Sequence, residues 1–100
     1  MNNLLTKMPD SFRADIERAI GILKKYGCSE IYIFGSLTNN DFNDESDIDI
    51  AIKGIKPELF FRAYSDLMFE LEHSVDFINM ETQKRFINFL TEIKEIVRVA

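Results

Sequence analysis

Glu30-Ile-Tyr-Ile-Phe-Gly-Ser36, then ten residues, then Asp47-Ile-Asp-Ile-Ala-Ile-Lys53 is the stretch that decides the fold. The run 30–34 is rich in β-branched and aromatic residues and lies between Gly27 and Gly35, which predicts a short buried strand ending at Gly35-Ser36. Residues 37–46, Leu-Thr-Asn-Asn-Asp-Phe-Asn-Asp-Glu-Ser, are too polar for a core and predict a loop that opens with a helical turn. Residues 47–53 then alternate: Ile48, Ile50 and Ile52 face one side of a second strand, Asp47, Asp49, Ala51 and Lys53 the other. An aspartate inside a strand is costly unless something compensates its desolvation, so this pair needs a cause. Side chains at i and i+2 share a face with Cα atoms roughly 6.5 Å apart, close enough for two carboxylates to converge on one divalent cation.

Working outward, Phe12, Ile16, Ala19, Ile20, Leu23 and Tyr26 recur at helical spacing, predicting an amphipathic helix over 9–27 with Pro9 in its first turn and Gly27 closing it in the left-handed conformation. Pro57 opens a second helix to about Glu72, with Phe60, Ala63, Tyr64, Leu67, Met68 and Leu71 on its apolar stripe and Phe69 opposite. Residues 74–80 read as a third strand, Val75 and Phe77 facing one side, Asp76 and Ile78 the other. Thr82 is expected to cap a last helix with the stripe Phe86, Phe89, Leu90 and Ile93. Residues 96–99 fit either its continuation or a short edge strand. This order predicts an α+β fold over 1–100: a small mixed sheet with helices packed on one face and the carboxylates on the other.

Asp76, central in a neighbouring strand, adds a third carboxylate to Asp47 and Asp49. Three such groups on one sheet face repel one another unless hard cations sit between them, which makes Mg²⁺ or Mn²⁺ the natural partner and outlines a two-metal phosphoryl-transfer site. Gly35-Ser36 supplies the complement: glycine lets the backbone approach a phosphate, and Ser36 offers an N–H and a hydroxyl at the start of a helical turn.

Among 100 residues, 12 Lys and Arg against 17 Asp and Glu give a net charge of −5, which argues against general attraction to nucleic acid or an anionic membrane. A phosphate-bearing ligand must therefore be captured locally. Cys28 is the only cysteine, so no internal disulfide or thiolate cluster forms, and a reducing cytoplasm fits best. With no signal-peptide run and no membrane span, a soluble, unprocessed single domain is expected. The loop 41–52 lacks the Gly and Glu of a calcium-binding EF-hand, so Asp41, Asp44 and Glu45 read as solvated turn residues. His73 suits a helix end and Cys28 a small buried hydrophobe. Phe69 reads as an exposed aromatic or part of a partner-binding patch.

Phe34-Gly35-Ser36, ten residues and Asp47-Ile48-Asp49 resemble the G-S-x10-D-x-D signature of minimal nucleotidyltransferases in the DNA polymerase beta superfamily, and Val75-Asp76-Phe77 looks like the strand bearing that family's third carboxylate. The resemblance covers nearly the whole chain. It implies that Asp47, Asp49 and Asp76 bind two Mg²⁺ ions, with Asp76 also a candidate base, and that Gly35 and Ser36 hold the terminal phosphates of ATP. It further implies the transfer of AMP to an acceptor hydroxyl. Many members pair with HEPN-domain toxins and act as antitoxins that adenylylate a toxin tyrosine, so a HEPN-type toxin and a nucleoside triphosphate are the expected partners. Where the family commonly continues with a small residue, Arg and Gly, this chain has Leu37-Thr38-Asn39-Asn40, leaving Lys53 as a cation on the same strand face. Two other functions fit the same residues: a non-catalytic antitoxin that neutralises its toxin by covering it, and a nucleotidyltransferase for a small molecule.

Overall fold

The computed structural model describes residues 3–39 and 41–100, so Asn40 of the loop and the first two residues lie outside it. The helical periodicity after Pro9 is realised as a helix over Asp10–Lys25, here α2, whose Phe12, Ile16, Ala19 and Leu23 are buried. It closes as expected: Gly27 takes φ +89°, its N–H donates to the Lys24 carbonyl, and the Cys28 N–H donates to the Leu23 carbonyl. A short helix α1 (Asn3–Lys7) precedes it, an element that residues 1–8 do not announce by periodicity. Leu4 and Leu5 pack half-buried on the core, and Met8 is buried.

The strands are β1 (Glu30–Phe34), β2 (Ile48–Lys53), β3 (Val75–Asn79) and β4 (Ile96–Arg98), in the order β3-β2-β1-β4. β1 is antiparallel to both β2 and β4, whereas β2 and β3 are parallel. The parallel pair is joined across one face by α3 (Phe60–Glu70), entered through a 3-10 turn at Pro57–Leu59. Ile31, Ile33, Ile48, Ile50, Ile52, Val75 and Phe77 form the inner face of the sheet and pack with α2 and α3 into the main core. The alternation read in 47–53 thus holds: all three isoleucines of β2 are fully buried. The carboxylates lie on the opposite face.

Helix α4 (Lys84–Glu92) adds a detail that the pattern did not foresee, because it covers part of the carboxylate face and not the isoleucine face. Leu90 is buried there with Phe34 and Ala51, flanked by Ile78 and Ile87. The stripe expected of this helix is corrected accordingly: Phe86, Phe89 and Ile93 are exposed. Thr82 is not the cap, since Gln83 occupies that position and the Thr82 hydroxyl donates to the Asn79 carbonyl. Residues 96–98 form the edge strand, the second of the two arrangements open in the sequence. Met68 is likewise exposed, because α3 turns Phe60, Ala63, Tyr64 and Leu67 to the core and leaves Met68 beside that stripe in solvent.

This division yields a first prediction. Ile50→Ala should destabilise the domain by about 2–5 kcal/mol through lost burial and a cavity. Met68→Ala should stay within about 0.5 kcal/mol. Urea unfolding followed by circular dichroism measures both, and comparable losses would contradict the inner-face assignment.

Candidate active site

The site is built by strand register. In the β2–β3 ladder Asp49 lies directly opposite Asp76, so the two carboxylates leave neighbouring strands on the same face, with backbones about 4.8 Å apart. Asp47, two residues before Asp49 and just ahead of β2, joins them on that side. No hydrogen bond or ion pair to a described residue engages any of the three side chains. The electrostatic consequence falls on Asp49, the most enclosed: burial, then the charges of Asp76 and Asp47, push its carboxyl up to about 6.

Gly35 follows β1 and faces the same carboxylate. Its φ is +74°, a backbone conformation that favours glycine, and a Cβ added there would force the Asp49 carboxylate to turn aside. Its N–H donates to the Glu95 carbonyl at 3.0 Å, so Gly35 can serve a ligand by lacking a side chain, not by donating its amide. Ser36 stands next in the 3-10 turn Gly35–Thr38. It is half-buried, and neither its N–H nor its hydroxyl is engaged by another described residue.

The segment that departs from the family pattern braces this turn. Leu37 is a core residue at 1% exposure, the Thr38 hydroxyl donates to the Gly35 carbonyl at 2.6 Å, and the Asn39 amide donates to Glu95 Oε2 at 2.7 Å. Lys53 does not replace the missing cation. It sits at the far end of β2 opposite Glu30, whose carboxyl it helps hold low after the larger effect of the Tyr32 hydroxyl. The loop acids Asp41, Asp44 and Glu45 are exposed, as expected. Cys28 is buried, and that burial raises its thiol pKa, the reverse of an activated nucleophile.

Two contributors were not legible from the motif. Glu95 braces the Gly35 turn from the edge of the sheet, and Asp15 with His73 lies beneath the start of β2 and β3. Asp15 had one signal in the sequence, its place on the apolar stripe between Phe12 and Ala19. His73 lies in the α3–β3 connection, beyond the helix end, and pairs with Asp15.

Whether these residues suit a metal is decided by their donors. Among the described residues no three acidic, histidine or cysteine side chains are placed to hold a metal ion as they stand, the aspartate trio included. Carboxylate oxygens are hard ligands, however, and three carboxylates on one face, none with a described partner, are the donor type that Mg²⁺ and Mn²⁺ take.

A mixed sheet carrying paired strand aspartates beside a glycine–serine turn defines a nucleotidyltransferase-type domain. The chain belongs to the family described as polymerase beta, nucleotidyltransferase, which matches residues 17–98. No curated protein sequence matches it. Solved structures of similar fold include a mutant of the MntA–HpeT toxin–antitoxin (TM-score 0.67, 17% identity, 82% of this chain and 69% of that one). Another is a toxin–antitoxin with AMP-PNP (TM-score 0.67, 19% identity, 90% and 72%). A third is the tri-AMPylated Shewanella oneidensis HEPN toxin in complex with MNT antitoxin (TM-score 0.64, 18% identity, 86% and 69%). At these identities the likeness is one of fold. Among the described residues no helix is long and apolar enough to cross a membrane.

The Asp49 shift sets a pH prediction. A carboxyl whose folded-state pKa is raised gives its stabilisation only while protonated, fully below about pH 4, and loses it as pH rises through about 6. Removing the charge with Asp49→Asn should therefore raise the Tm of the metal-free protein at pH 8. The gain is on the order of 1–2 kcal/mol after discounting for solvent contact, or several degrees. It should close towards pH 4. Calorimetry in chelator checks this, and a mutant less stable than wild type at pH 8 would contradict the crowded-carboxylate picture.

Proposed function

We propose that this chain is a Mg²⁺-dependent nucleotidyltransferase that moves AMP from ATP to a hydroxyl of a partner protein, a tyrosine of a HEPN-type toxin, and so acts as an antitoxin. The observation that carries this reading is the juxtaposition of Asp49 with Asp76 across the parallel ladder, with Gly35 against the Asp49 carboxylate. Asp47, Asp49 and Asp76 would hold two divalent ions, Mg²⁺ or Mn²⁺. Bound there, such ions neutralise triphosphate charge and lower the pKa of an attacking hydroxyl. The unengaged N–H and hydroxyl of Ser36 bind the terminal phosphates, and the bare Gly35 backbone lets them approach Asp49. The exposed carboxylate of Asp76 takes the acceptor proton. The acceptor oxygen bonds to the α-phosphorus as the bond to pyrophosphate breaks. The nucleotide-bound and AMPylated toxin–antitoxin structures of similar fold support the choice of ATP and of a HEPN partner.

A second reading rests on a specific feature. Leu37, Thr38 and Asn39 stiffen the nucleotide turn without bringing a positive charge to it, which favours an antitoxin that neutralises by covering its partner.

One experiment separates them. Incubated with a HEPN-type toxin, ATP and Mg²⁺, the wild-type protein should add AMP to a toxin tyrosine, detected by intact-protein and peptide mass spectrometry. The Asp47→Asn, Asp49→Asn double variant should lose at least about 10³-fold in rate, the several kcal/mol that metal binding supplies. Neutralisation by wild type and double variant alike, with no adduct on the toxin, would overturn the catalytic reading in favour of the second.

A further inference from the structure

Asp15 is the one buried charged side chain among the described residues, 4% exposed, and the catalytic reading does not use it. A buried carboxylate is costly unless its oxygens are hydrogen-bonded, and these are. Oδ1 accepts the Glu72 N–H at 3.0 Å, and Oδ2 accepts the His73 N–H at 2.8 Å and lies 2.7 Å from His73 Nδ1. Burial alone would raise the Asp15 carboxyl, yet these donors outweigh it and hold it below its ordinary value, so the group stays ionised. The His73 ring is stacked on Phe12 of α2, with centroids 3.9 Å apart. Phe12 and Asp15, three residues apart, share a helix face.

What this anchors is the start of the carboxylate ladder. The next residue, Ser74, gives its carbonyl to the Ile48 N–H at 2.8 Å, at the point where β2 and β3 first meet. Ile48 stands between Asp47 and Asp49, and its partner in register, Val75, immediately precedes Asp76. On its other side Phe12 packs edge-on against Phe42, centroids 5.6 Å apart, within the loop that delivers Asp47. One turn of α2 therefore fixes both approaches to the site from the opposite face of the sheet.

We infer that Asp15 and His73 are positioning residues: their buried pair, seated on Phe12, sets the register in which Asp49 lies beside Asp76 and so fixes the spacing of the metal-binding carboxylates. The inference rests on the metal-binding reading of that trio. A pair serving stability alone would leave the ladder register and the metal affinity untouched whenever the domain is folded.

The test uses the full chain, with Asp15→Asn, which keeps size and loses the charge, and the milder His73→Gln. An Ala19→Gly variant of α2, which lowers stability through helix propensity and the loss of a buried methyl without contacting the pair, serves as control. Amide hydrogen exchange is read by NMR without metal, and Mn²⁺ affinity by titration calorimetry well below Tm. In both pair variants the Ile48 amide should lose at least about tenfold more protection than in Ala19→Gly, and Mn²⁺ should bind at least about fivefold more weakly. Ile48 protection matching the control would overturn the inference, as would a loosened Ile48 amide with unchanged Mn²⁺ affinity. Wild-type protein lacking Mn²⁺ binding that Asp49→Asn abolishes would overturn the reading of the site itself, and the positioning role with it.

Discussion

The site depends on a repulsion that the fold forces on itself. Two carboxylates placed opposite each other on parallel strands, with a third two residues away, oppose folding, and Asp49 bears the cost: its burial first, then the charges of Asp76 and Asp47, make it hold its proton to about pH 6. The arrangement persists because the other face of the same strands is the core. Ile48, Ile50 and Ile52 are each fully buried, so a one-residue slip of β2 would expose three isoleucines and turn the aspartates inward. Hydrophobic burial thus keeps the acids on one face of the sheet in the absence of any attraction between them.

The surroundings of Asp49 show the same economy. Gly35 yields its side-chain space to the Asp49 carboxylate, and its amide is tied to the Glu95 carbonyl at the sheet edge, so turn and carboxylate hold a fixed relation. Thr38 and Asn39 add two further hydrogen bonds to that brace. The turn is therefore braced through Thr38 and Asn39, and Ser36 is the residue left to offer its N–H and hydroxyl to the proposed phosphates.

Much of this was legible because it is local. The run 30–34 became β1 to the residue, since β-branched and aromatic side chains between glycines leave little choice, and Gly27 closed α2 as its position required. The Gly35-Ser36 and Asp47, Asp49, Asp76 constellation came from strand alternation and spacing. What failed was set by neighbours distant in sequence. Met68 follows Leu67 at the margin of the α3 stripe, and only the packing against α2 and the sheet decides how wide that stripe is. Phe86 and Phe89 have helical periodicity, but α4 rests on a partly polar face where Leu90 alone is buried. The apolar Ala51 and Ile78 among the aspartates were the signal that something would cover that face. The pairing of Asp15 with His73 spans 58 residues and has no local signature.

The central claim is that Asp47, Asp49 and Asp76 form one cation site beside the Gly35-Ser36 turn. The most direct measurement is an anomalous difference map from crystals grown with Mn²⁺ and a non-hydrolysable ATP analogue. The account requires manganese density within coordination distance of all three carboxylates, with the terminal phosphates at Ser36. Manganese bound elsewhere, or Asp76 turned away from an ion held by Asp47 and Asp49 alone, would contradict it.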